Sequence, residues 1–150
     1  MNLFFDTSAL VKFFHEEIGT ELVTQLINNP QNEVWISELT IVEFLSVMYR
    51  LYREEEIVDD ELEEAINGFE EECHRFIVVP LNIVIIEEAR DLLNTYGKYF
   101  SLRTLDALQL ASCNFVYEDD ENWTIVSSDH RLIRVIQNAG MNVINPEEQE

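Results

Sequence analysis

Basic residues are scarce in this sequence. Against 30 aspartates and glutamates stand 9 lysines and arginines, the formal net charge is −21, and Lys12 and Lys98 are the only lysines. Such a surface repels polyanions at long range, which argues against holding nucleic acid mainly through basic phosphate contacts. The two cysteines, Cys73 and Cys113, are far apart and fit neither a disulfide framework nor a paired zinc-ligand spacing, so buried free thiols are the preferred reading. Gly19, Gly68, Gly97 and Gly140 stand apart, which excludes a phosphate-binding loop and a glycine-rich dinucleotide motif. No apolar run approaches the ~20 residues of a membrane span. The opening Met1-Asn2-Leu3-Phe4-Phe5-Asp6 lacks the basic region and long apolar core of a secretion signal. A soluble, cytoplasmic protein that does not engage membranes is expected.

What the chain does have is enough apolar material, 47% of its 150 residues, for a single domain with one hydrophobic core. That domain is expected over residues 1–146, with an acidic tail, 147–150, that frays. Leu3-Phe4-Phe5 suits a buried strand, and Asp6-Thr7-Ser8 starts a helix directly after it. A second helix spans about Thr20 to Asn28, and Pro30 marks a turn before the strand Val34-Trp35-Ile36. From Ser37 a long helix runs toward Arg53, with Ile41, Leu45, Met48 and Tyr52 at helical spacing. The next, acidic helix carries a stripe of Val58, Leu62, Ala65 and Phe69. Strand-like Phe76 to Val79 precedes a helix from Ile83 to Tyr96 that stops at Gly97. Arg103 to Tyr117 is helical, Trp123 to Val126 a strand, His130 to Ala139 a helix closed by Gly140, and Val143-Ile144 a last strand. This alternation means a parallel sheet with helices on both faces.

The chemistry lies in four carboxylates. Asp6 and Asp129 each follow an apolar strand, and the carboxyl ends of strands are where open parallel sheets bind ligands. Glu43 lies one to two turns into the helix after the second strand, and Asp106 in the first turn of the helix that opens near Arg103. Each has a plain structural alternative. Asp6 and Asp129 serve equally well as helix caps, Thr40-Ile41-Val42-Glu43 matches a capping box, and Asp106 suits a helix dipole. The helical faces favour a site. Glu43 shares its face with Leu39 and Val47, and Asp106 with Leu110, Cys113 and Tyr117, so both point inward. No lysine or arginine is obviously placed to pair with them. Two carboxylates ~4 Å apart repel by roughly 4 kcal/mol at an effective dielectric of 20, so the cluster needs a proton or a cation. A hard divalent ion with oxygen ligands fits, and Mg2+ fits best, with Mn2+ a possible substitute.

These segments resemble the PIN-domain ribonucleases, in particular the VapC-like toxins of toxin–antitoxin pairs. The similarity lies in Leu3 to Lys12, in Ile36 to Glu43, in Leu102 to Ala111, and in Ile125 to Leu132 followed by Gly140 and Asn145-Pro146. Four motifs in order span nearly the whole chain. The resemblance implies a PIN-like three-layer α/β/α sandwich with a central, mainly parallel sheet of four to five strands. It also implies a Mg2+-dependent endoribonuclease, often a homodimer, silenced by a cognate antitoxin. Asp6 and Asp106 would be the metal ligands, with Glu43 and Asp129 completing the catalytic pocket directly or through water. Thr7, Ser8 and Ser127 would support these carboxylates by hydrogen bonding. The alternative from another class is a PIN-like binding or scaffold protein with little or no nuclease activity, which the net charge favours. A haloacid-dehalogenase-type phosphatase would need a second Asp two residues after Asp6, where this chain has Ser8.

Other residues carry less. His15, His74 and His130 share no metal-ligand spacing and suit surface or helix-end positions, His130 being the one best placed to line a pocket. Arg103 and Arg131 are open to phosphate contact or to structural ion pairing. Phe13, Phe14, Trp35, Phe44 and Phe69 read as core or interface. The acidic helix reads as a solvated face, or else its Val58, Leu62 and Phe69 stripe forms a groove for a basic partner helix.

Overall fold

The structure, a computed structural model, describes residues 1–118 and 122–148. Five strands form one parallel sheet: β1 (Asn2–Phe5), β2 (Glu33–Ser37), β3 (Ile77–Val79), β4 (Trp123–Val126) and β5 (Val143–Ile144), in the order β3-β2-β1-β4-β5. All four pairings are parallel, with Phe5 level with Ile36 on one side and with Val126 on the other. The helices are α1 (Thr7–Phe14), α2 (Thr20–Asn28), α3 (Glu38–Arg53), α4 (Asp59–Glu72), α5 (Ile83–Phe100), α6 (Thr104–Val116) and α7 (His130–Asn138).

Alternation along the central strand divides the core in two, rather than leaving the one continuous core that composition suggests. Leu3 and Phe5 face a cluster built with α1, α2, α3 and α4, while Phe4 faces one built with α5, α6 and α7. The sheet is the middle of three layers, α/β/α. No helix among the described residues is long and apolar enough to cross a membrane.

Three details differ from the sequence reading. In α3 the buried face is Thr40, Phe44, Met48 and Leu51, while Ile41, Leu45 and Tyr52 are 37–40% exposed. The helix is apolar on two sides, and tertiary packing selects the side on which Phe44 stacks against Phe69 at 4.0 Å. In α4, Phe69 and Ala65 belong to the core and Leu62 packs against it, so the stripe that includes Phe69 is not a docking groove. The groove on this helix lies elsewhere, between α1 and the side of α4 carrying Glu64, Gly68 and Glu71. Helix α5 runs through Gly97 to Phe100, where Tyr96 and Phe100 pack edge to face at 5.6 Å and Ser101 takes the left-handed cap.

The chain end is more ordered at its start than a frayed tail. Glu147 Oε1 lies 2.7 Å from Lys12 Nζ, which also holds Glu17 at 3.0 Å, and the Lys12 side chain is buried. Pro146 sits so close to Gly19, at φ +94°, that a Cβ there would lie 2.8 Å from the Pro146 carbonyl oxygen. Residues 149–150 of that tail lie outside the described residues.

Candidate active site

Strand order reverses about β1: the chain steps outward to β2 and β3, then crosses to β4. The crevice at such a switch point opens at the carboxyl ends of the strands. Asp6 follows β1 directly, and its backbone N–H donates to the Val126 carbonyl of β4 at 3.1 Å. Asp129 follows β4 by two residues. Asp6, Glu43, Asp106 and Asp129 all line one open pocket of about 780 Å³ at this edge, together with Thr7, Ser8, Lys12, Arg103 and Gln109.

Asp6 is 4% exposed and caps α1, accepting from the Ala9 N–H at 2.9 Å. Its Oδ1 also accepts from Ser8 Oγ at 2.7 Å, and its Oδ2 from Ser127 Oγ at 2.6 Å. The Asp129 N–H donates to Ser127 Oγ at 3.1 Å, which leaves the Ser127 proton for Asp6. Burial pushes the Asp6 carboxyl up from 3.8 to about 6; the hydrogen bonds from Ser127, Ser8 and Ala9 pull it down, and the charge of Asp129 adds to the rise. Asp129 caps α7, its Oδ1 accepting from the N–H groups of Arg131 and Leu132 at 2.9 and 3.3 Å. Capping and membership of the pocket are therefore compatible for both residues.

Asp106 is 7% exposed and its Oδ2 accepts from Arg103 Nε at 3.0 Å and from the Arg103 N–H at 3.3 Å. The same guanidinium reaches Asp129 Oδ2 through Nη2 at 2.6 Å. An arginine is thus placed to pair with these acids, contrary to the sequence reading, because α6 opens at Arg103 and brings its side chain alongside the first turn. Of the two arginines, Arg103 takes the ion-pairing role, and Arg131 is exposed outside the pocket lining. Among the described residues no group of three carboxylate, histidine or cysteine side chains is gathered as a ready metal site.

Glu43 is half-buried, and its Oε1 accepts from Thr7 Oγ1 at 3.0 Å and from Gln109 Nε2 at 2.8 Å. The capping-box reading of Thr40 to Glu43 is overturned. Ser37 caps α3 through the Leu39 N–H, and Thr40 is buried one turn in. Both cysteines are free, Cys113 fully buried with its thiol pushed well up by desolvation. His130 is exposed and does not line the pocket. Sequence reading gave no site role to Gln109, Thr40 or Lys12: none carries a negative charge, and apart from the Glu17 partner of Lys12 their side-chain partners are distant in the chain.

The site is thus an acidic crevice at the switch point of a three-layer α/β/α fold. The PIN domain profile matches residues 3–137, and the chain belongs to the PIN domain family, whose members are nucleases. No curated protein matches at a significant level. Among solved structures, a chain of VapBC-1 from nontypeable Haemophilus influenzae is similar with a TM-score of 0.65 and 16% identity, covering 99% of this chain and 100% of that one. A toxin–antitoxin complex from Klebsiella pneumoniae gives a TM-score of 0.63 at 19% identity, covering 98% and 99%. FitAcB from Neisseria gonorrhoeae gives 0.64 at 13%, covering 98% and 99%.

Proposed function

We propose that this protein is a Mg2+-dependent endoribonuclease that hydrolyses RNA phosphodiester bonds, and that it is the toxin of a type II toxin–antitoxin pair in the cytoplasm. The observation that carries the reading is the convergence of Asp6, Glu43, Asp106 and Asp129 on one pocket, with Asp6 buried and in no ion pair among the described residues. The donor set fits Mg2+, or Mn2+ in its place: it is all carboxylate oxygen, and such an ion needs only one or two protein carboxylates while keeping several waters. Asp6 and Asp106 would hold it, with Glu43 and Asp129 acting directly or through water. When bound, the ion polarises the scissile phosphate, lowers the pKa of an attacking water and offsets developing negative charge.

The chain's own residues supply orientation. Ser8, Ser127 and the Ala9 N–H fix both oxygens of Asp6, and Thr7 fixes Glu43. Arg103 neutralises Asp106 and Asp129 before an ion arrives. Arg103→Gln is therefore expected to tighten Mg2+ binding about threefold, the scale of a partly exposed ion pair. Weaker binding by calorimetry would mean that Arg103 orients the ligands instead of competing with the ion.

Two partners are proposed with the activity. The groove between α1 and α4, rimmed by Glu61, Glu64, Glu71 and Glu72, suits a basic antitoxin segment, and the similar structure from Klebsiella pneumoniae is itself named a toxin–antitoxin complex. The exposed apolar side chains Ile41, Val42 and Leu45 of α3 and Ile83, Val84 and Ile86 of α5 support a homodimer. The N-terminal ends of these helices are tied where the Leu81 N–H donates to Glu38 Oε2 at 2.9 Å.

The deciding experiment incubates the purified chain with RNA in Mg2+, Mn2+ or chelator and follows its melting temperature in parallel. Metal-dependent cleavage with a shallow salt dependence is expected, since few basic side chains reach phosphate, together with a higher melting temperature in metal. Absence of both effects would favour the scaffold reading, which the net charge of −21 supports.

A further inference from the structure

Gln109 reaches from α6 across the carboxyl edge of the sheet to α1 and α3. Its Nε2 lies 2.8 Å from Glu43 Oε1, 2.9 Å from Thr40 Oγ1 and 3.1 Å from Thr7 Oγ1, and the two threonine hydroxyls are 3.1 Å apart. Thr7 Oγ1 donates to the same Glu43 oxygen at 3.0 Å. The orientation of the amide follows from charge, since a carbonyl oxygen turned toward an ionised carboxylate would be repelled and the NH2 group attracted. The consequence falls on the other end of the amide: Gln109 Oε1 is buried with no partner among the described residues. Leaving a buried acceptor unpaired costs stability. A methionine would fill the same space without that cost, so packing alone does not account for a glutamine here.

The spacing along the chain is also telling. Thr7 follows Asp6 directly, Thr40 is one helical turn before Glu43, and Gln109 is one turn after Asp106. Each member of the cluster is thus carried by the element that carries a different pocket acid. Thr7 and Gln109 both donate to Glu43 Oε1, with Thr40 holding the two donors in place, and no hydrogen bond engages Oε2 among the described residues.

We propose that Gln109, acting with Thr7 and Thr40, is a positioning residue that clamps Glu43 through Oε1 and presents Oε2 to the pocket, registering α3 against the helix that bears Asp106. Its catalytic consequence rests on the nuclease reading; its geometry does not. Gln109→Met removes the donor at nearly constant volume. The variant is expected to lower kcat by about 10- to 100-fold, the range seen when a supporting partner of a metal-site ligand is lost. KM for RNA should stay within about twofold, because a positioning defect acts on the chemical step. Its melting temperature should stay within a few degrees of that of the wild type, since loss of the Nε2 hydrogen bonds is offset in part by loss of the orphaned oxygen. In the Glu43→Ala background the same substitution should cost nothing further in kcat.

A kcat loss that merely tracks a lower melting temperature, or one that adds fully to that of Glu43→Ala, would overturn the clamp. Two readouts stand apart from RNA cleavage. In 15N-labelled protein the Gln109 side-chain amide protons should exchange slowly and shift in Glu43→Ala, and Gln109→Met should bind Mn2+ several-fold more weakly. If the wild type cleaves no RNA, the nuclease reading fails while these measurements still decide the clamp. Unshifted amide signals, or Mn2+ affinity unchanged in Gln109→Met, would reject it.

Discussion

Asp6→Asn and Asp106→Asn are each expected to reduce Mg2+-dependent RNA cleavage by at least ~10³-fold in a chain that remains folded, the scale of losing a group that stabilises transition-state charge. Both residues are at most 7% exposed and line the same pocket, and the substitution removes one charge with little change of shape. The competing view is that these acids are only helix caps and ion pairs. It is testable because it predicts a different pair of outcomes. Removing a cap costs ~0.5–2 kcal/mol of stability and leaves catalysis untouched in a chain that still folds. An amide at position 6 still offers an oxygen to the Ala9 N–H, so Asp6→Asn keeps much of the cap while losing the charge. Single-turnover cleavage with circular dichroism on the same samples separates the two. Near-wild-type rates in either variant would reduce that residue to a structural part.

How much of this arrangement shows in the sequence depends on the length scale of each interaction. Asp6 and Asp129 are legible because a buried apolar strand ending in an acid is a local pattern, and the sheet order puts both strand ends side by side. The inward direction of Asp106 is legible from helical spacing, since Leu110 and Cys113 on its face are buried. The buried face of α3 is not, because Ile41 and Leu45 repeat as regularly as Phe44 and Met48, and only the stacking of Phe44 on Phe69 decides between them. Polar partners that close over long loops are equally hidden. Gln109 meets Glu43 across 66 positions and Lys12 meets Glu147 across 135, distances over which no periodicity carries information. Arg103 is the intermediate case: its neighbour Asp106 is three residues away, yet its second contact, to Asp129, needs the fold. The four acids are thus readable one by one, whereas the cations and amides that hold them are tertiary facts.

The buried Asp6 carboxyl makes a second prediction, about stability without metal. Its folded pKa of about 6 lies above the ordinary 3.8, chiefly because desolvation disfavours the charged form. Below pH 3.8 the group is protonated in folded and unfolded chains alike, and its ionisation costs the fold nothing. Between 3.8 and about 6 the unfolded chain gives up the proton first, so stability falls as pH rises through this window. Above it both states are ionised and a deficit of about 3 kcal/mol remains, at 1.36 kcal/mol per pKa unit. Asp6→Asn escapes that deficit. At pH 7.5 in chelator it should melt several degrees above the wild type, even after losing some hydrogen bonding to Ser127, and the advantage should vanish near pH 4. Many other carboxylates titrate in the same range, but they are common to both proteins and cancel in the difference. Mg2+ should close the gap at neutral pH by stabilising the ionised Asp6 of the wild type, which the variant cannot exploit. A difference independent of pH would mean that Asp6 is ionised at no cost in the folded chain, and that the site has no need of a cation at that position.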